Sequence, residues 1–147
     1  MTRREEANYK SQHNLAYWQG GDYLGIGAGA HSRIFFAGEE NRSAIMMIHE
    51  PLAWLKKTEE NGAGIQTSEK ISSEELLKEI ILMGLRLKDG ISNQVFQKFF
   101  QKNIEEIFER KKLEFLQEQG FVEVTKNNIK ISDKARILTN SIIGKLV

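Results

Sequence analysis

The chain has 147 residues, 40% apolar and 28% charged, enough for one core in which roughly 70% of the unfolded surface could be buried. Its 21 basic and 20 acidic side chains nearly cancel and are interspersed, which argues against a nucleic-acid binder, since that role needs a basic stripe to displace counterions. There is no cysteine, no run of about eighteen apolar residues to cross a bilayer and no hydrophobic signal core behind the charged start, so a cytoplasmic location without an integral membrane segment is expected.

Residues 1–20 are polar and aromatic without a period and are expected to be irregular. From Tyr23 to Phe36 glycines alternate with small and apolar residues, a pattern read as strand, glycine loop and strand. Turn chemistry at Gly38–Asn41 and the apolar run Ala44–Ile48 complete a β-hairpin. Pro51 suits the first turn of a helix, which should stop near Asn61 and Gly62. Residues 62–70 read as a polar loop.

Ser72 with Glu75 forms a capping box that opens the strongest helix, predicted to reach about Lys88. Its apolar face holds Leu76, Leu77, Ile80, Ile81, Met83, Leu85 and Leu87. A helix over Asn93–Phe100 and a longer one over Asn103–Gln119 follow, the second ended by Gly120. Val122 with Val124, and Ile129 with Ile131, alternate around Lys126–Asn128 as a hairpin. Ser132 or Asp133 caps a last helix carrying Leu138, Ile142, Ile143 and Leu146. The fold class expected is therefore α+β, with the order of three helices, a hairpin and a closing helix being winged-helix-like.

Two motifs stand out: His13-Asn14-x-x-Tyr17-Trp18, and Gly21 to Ser32, which holds glycines at 21, 25, 27 and 29. Together with Met83–Leu87, Gly90-Ile91 and Gly120–Val122 they resemble the oxygen-independent coproporphyrinogen III oxidase-like radical SAM family, closest to its HemW-type haem chaperones. The resemblance spans almost the whole chain. Ala28 departs from it, standing where the family often has proline.

The resemblance implies that residues 1–48 are a remnant of the end of a radical SAM barrel and residues 49–147 a HemN-type C-terminal helical domain. It implies a haem contact at His13, Asn14, Tyr17 and Trp18, with His13 as axial iron ligand and the rings offering flat faces to a porphyrin. It also places Gly27, Ala28 and Ala30 along a cavity for S-adenosylmethionine (SAM) and substrate. Family members hold a [4Fe-4S] cluster on three thiolates, which a chain without cysteine cannot supply.

The expected function is thus that of a C-terminal part in haem or porphyrin metabolism, inactive without a cluster-bearing half. Its partners would be that half, haem or porphyrin, and a haem-accepting protein. The alternative is a stand-alone protein-interaction module. The residues themselves leave plainer readings open: Tyr17 and Trp18 as packing, His13 bonded to a carbonyl, Gly25-x-Gly27-x-Gly29 as a bare glycine turn. His31 with Ser32 lacks a third catalytic partner, and His49 reads as a helix-start residue. No nucleophile with its base can be named, so no catalytic residue is assigned.

Overall fold

The computed structural model describes residues 21–39 and 41–147. Its first layer is a three-stranded antiparallel sheet in the order β1 (His31–Ile34), β2 (Ser43–Met47) and β3 (Ile65–Lys70). An isolated bridge between Tyr23 and Arg33 adds one more backbone pairing beside β1. Between β2 and β3 runs α1 (Pro51–Asn61), whose first amides are capped by the Glu50 carboxylate and whose end is the left-handed Gly62, as proline and glycine predict at those two ends.

The stretch read as a polar loop contains β3, and all six of its residues are exposed. Polarity gave the loop reading. Main-chain pairing with β2 needs no apolar side chain, so an edge strand can be polar throughout.

The helical part begins with α2 (Ser73–Gly84), where the Ser72 hydroxyl and the Glu75 carboxylate form the reciprocal capping box. It buries Leu76, Ile80, Ile81 and Gly84. The helix stops short of Lys88 because the chain tightens into a turn after Gly84, with the Arg86 amide donating to Met83 and that of Leu87 to Gly84. A Cβ at Gly84 would lie 2.4 Å from Ile91 Cγ1, so the missing side chain is what lets the next strand approach.

That strand, β4 (Ile91–Ser92), joins the expected hairpin to make a second antiparallel sheet in the order β4, β6 (Asn128–Ile131), β5 (Val122–Val124). Between β4 and β5 lie α3 (Asn93–Phe100), α4 (Ile104–Ile107) and α5 (Arg110–Glu118). The single helix predicted over 103–119 is broken at Phe108, which is extended (φ −99°, ψ 144°). Phe108 is 4% exposed and meets Phe96 edge-on, with ring centroids 5.8 Å apart. Burying that ring outweighs the helical hydrogen bonds lost there. The closing helix is likewise divided, into a 3-10 turn over Asp133–Leu138 and α6 (Thr139–Leu146).

One core runs through this second part, with Leu85, Phe96, Leu116, Ile129 and Ile131 sealed at its centre. The architecture is α+β, small antiparallel sheets with helices. Among the described residues no helix is long and apolar enough to cross a membrane.

Gln101, the residue after α3, is left-handed at φ 55°, the only described non-glycine with positive φ. Left-handed backbone costs a residue with a Cβ about 1–2 kcal/mol, part of which glycine returns through its greater unfolded entropy. Gln101→Gly should therefore raise unfolding free energy by about 0.5–1 kcal/mol, read from urea unfolding; a loss of stability would show that the Gln101 side chain contributes more than its backbone costs.

Candidate functional site

The glycine segment folds back on the sheet it feeds. The Gly25 amide donates to the Ser32 hydroxyl at 3.1 Å, and a Cβ on Gly25 would stand 2.3 Å from the His31 carbonyl oxygen. The Gly29 amide donates to the Ile48 carbonyl at 2.9 Å, that of Ala30 to Gly27 at 3.2 Å, and Met47 returns a bond to Ala30 at 2.8 Å. Gly27, Ala28 and Ala30 thus form a half-buried turn pinned to β2, while Leu24 and Ile26 stand 62% and 86% exposed beside it.

His31 is exposed at the head of β1, whereas Ser32 is fully buried and occupied by Gly25. Successive strand residues face opposite sides, so the two do not make a working pair. His49 is exposed, its ring facing Gly29. Among the described residues no cluster of three His, Asp or Glu could hold a metal ion. His13, Asn14, Tyr17 and Trp18 lie outside the described residues.

A second cluster joins the first sheet to the helices, and no local motif announced it. Arg33 on β1 binds Glu79 on α2 through Nε and Nη2 at 3.1 and 2.8 Å. Phe35 stacks on Phe99 of α3, with centroids 5.9 Å apart and planes 14° from parallel. Arg42, just before β2, is 3% exposed. Its Nη2 donates to the Gly21 carbonyl and lies 3.5 Å from Asp22 Oδ1. Burial pulls this guanidinium below its ordinary pKa, opposed by the negative charge of Asp22.

Residues 71–138, from the end of the first sheet through the second, match the HemN C-terminal domain family. That stretch is similar to the C-terminal domain of HemN-type proteins. Its relatives include the mitochondrial radical S-adenosyl methionine domain-containing protein 1 of Bos taurus, 36% identical over 141 residues. That match covers 93% of this chain and 32% of the bovine protein. The heme chaperone HemW of Bacillus subtilis is 26% identical over 139 residues, covering 95% of this chain and 35% of that one. Among solved structures, coproporphyrinogen III oxidase (HemN) from Escherichia coli, described as a radical SAM enzyme, superposes with a TM-score of 0.60 at 16% identity. It covers 93% of this chain and 34% of that one, a likeness of fold. The chain thus spans about a third of the length of the proteins it matches, and its matched domain is a C-terminal one.

Proposed function

We propose that the chain serves haem delivery as the C-terminal part of a HemN/HemW-like protein, with haem as cargo and His13 as its iron ligand. The observation that carries this reading is the match, along nearly the whole chain, to proteins named heme chaperone HemW, in a sequence that carries His13-Asn14-x-x-Tyr17-Trp18. Neutral imidazole supplies a nitrogen ligand at physiological pH, and the phenol and indole rings supply flat apolar walls.

The donor set for a [4Fe-4S] cluster is not present, because no cysteine occurs in the chain. Radical and SAM chemistry therefore belongs to a cluster-bearing portion acting with this one. On this reading residues 1–48 form the end of a barrel, Gly27, Ala28 and Ala30 border its SAM and substrate cavity, and residues 49–147 form a winged-helix-like helical domain. The exposure of Leu24 and Ile26 fits a surface made to be covered by that portion. The partners are the cluster-bearing portion and a haem-accepting protein, and the compartment is the cytoplasm.

Titrating haem into the chain should produce a shifted Soret band that His13→Ala removes and His31→Ala leaves intact. Equal loss from both variants, or from neither, overturns His13 as the ligand.

A further inference from the structure

Two grooves run along α6 and share Gly144. The first, of about 430 Å³, lies between α5 and α6 and is lined by Lys111, Lys112, Phe115, Leu116, Gly144 and Lys145. The second, of about 470 Å³, lies between α6 and α2, with Leu82, Ile143 and Val147 as its apolar lining. Phe115 is 45% exposed, Val147 51% and Leu82 38%. Large apolar side chains thus stand in water on both sides of one helix.

Gly144 has no reason within the described residues to be glycine. It lies inside α6, and a Cβ there would meet nothing within 4 Å. Glycine in a helix is less favourable than alanine, because it has more unfolded freedom to lose. At Gly84 and Gly90 a side chain would strike a neighbour, whereas at Gly144 that space is open. An open notch between two apolar grooves is what the backbone of a second helix needs in order to come close.

The first groove carries three lysines and no carboxylate. Lys112 is paired with Glu109 at 3.5 Å, whereas Lys111 and Lys145 have no ion pair among the described residues. The Lys145 Nζ stands 5.1 Å from the centre of the Phe115 ring. In the second groove Lys78 is held by Glu74 and Glu79 by Arg33, while Arg86 donates to the Asn140 side-chain oxygen without meeting a carboxylate. Lys111, Lys145 and Arg86 are therefore cations left over around the apolar floor, and no lining carboxylate is left over to answer them.

We propose that this surface docks an acidic amphipathic helix of a partner protein. Its backbone crosses α6 at Gly144, its apolar side chains sit in both grooves, and carboxylates on its flanks meet Lys111, Lys145 and Arg86. An apolar strip at i, i+3, i+4 and i+7 suits two neighbouring grooves, and uncompensated cations select an acidic partner. Haem binding at His13 is not required for it.

The probe is a labelled synthetic helix of about 14 residues, with leucine along one face and glutamate on its flanks, titrated with the full chain and read by fluorescence anisotropy. Saturable binding that weakens with salt is expected. A peptide with lysine in place of glutamate reverses the charge, and one with a central proline loses the helix. Both should bind at least about tenfold more weakly. Gly144→Leu, which fills the notch, and the double variant Lys111→Glu with Lys145→Glu should each weaken the glutamate peptide at least about tenfold. Gly144→Ala should raise the melting point by about 2–4 °C, since it removes a cost in the helix and strikes nothing. If Gly144→Leu fails to fold, the double lysine variant and the lysine peptide still decide. Absence of saturable binding up to about 100 μM, equal binding of the lysine peptide, or binding unchanged by Gly144→Leu or by the double variant each overturns the proposal. A lower melting point in Gly144→Ala does so too, because the fold itself would then demand the glycine. Equal binding of the proline peptide would make the occupant an extended segment, and self-association of the chain that Gly144→Leu abolishes would make it a second copy; either overturns the partner helix.

Discussion

Phe96→Ala should lower the unfolding free energy by about 3–5 kcal/mol, the usual loss when a sealed phenyl ring is truncated. Phe96 is 0% exposed and sits edge-on to Phe108 at 5.8 Å, with planes 86° apart. Removing it forfeits its own burial and leaves a cavity against the residue that breaks the chain between α4 and α5. A domain of this kind holds about 5–15 kcal/mol in all, so the variant should melt many degrees below the parent in thermal unfolding followed by circular dichroism. Leu52→Ala, at a position 75% exposed on α1, should change stability by less than about 0.5 kcal/mol. A small effect at Phe96, comparable to that at Leu52, would mean that the ring does not anchor the core.

The features legible in the sequence are those whose physics is local. Ser72 and Glu75 are three residues apart, and their capping box formed as read. Pro51 and Gly62 bound α1 because one presets a helical φ and the other tolerates a left-handed one. The hairpin of β5 and β6 followed from alternation about a polar turn.

What stayed hidden depends on partners distant in the chain. Arg33 meets Glu79 across 46 residues, and Arg42 and Lys98 come to one cavity only after the sheet has packed on α3. No spacing rule connects such residues. The break at Phe108 is hidden for a related reason: nothing near it disfavours a helix, and the extended backbone is set by the ring's place in the core. The strand at Ile65–Lys70 was missed because its side chains face water on both sides, leaving no period to read. The glycine segment was legible as a motif, and the neighbouring residues 13–18 lie outside the described structure.

Gly90→Ala should be the most damaging glycine-to-alanine change among the described residues, at about 2–5 kcal/mol. Gly90 lies at φ +70°, a conformation that costs any residue with a Cβ about 1–2 kcal/mol. The space is also taken: a Cβ there would stand 2.0 Å from the Ile129 carbonyl oxygen and 2.7 Å from the Lys130 Cα. These are backbone atoms of β6, the central strand of the second sheet, and they cannot turn aside as a side chain can. Relief requires β4 to move off β6, where Ile91 pairs with Ile129 and both are buried. Gly38→Ala separates the two contributions, since Gly38 has φ +83° and nothing within 4 Å of the added carbon. It should lose only the backbone cost of about 1–2 kcal/mol. Denaturant unfolding of both variants, with hydrogen exchange at β4 and β6, tests this: Gly90→Ala should lose protection in that sheet, and equal costs at the two glycines would show that the close approach of β4 to β6 is not what demands glycine at position 90.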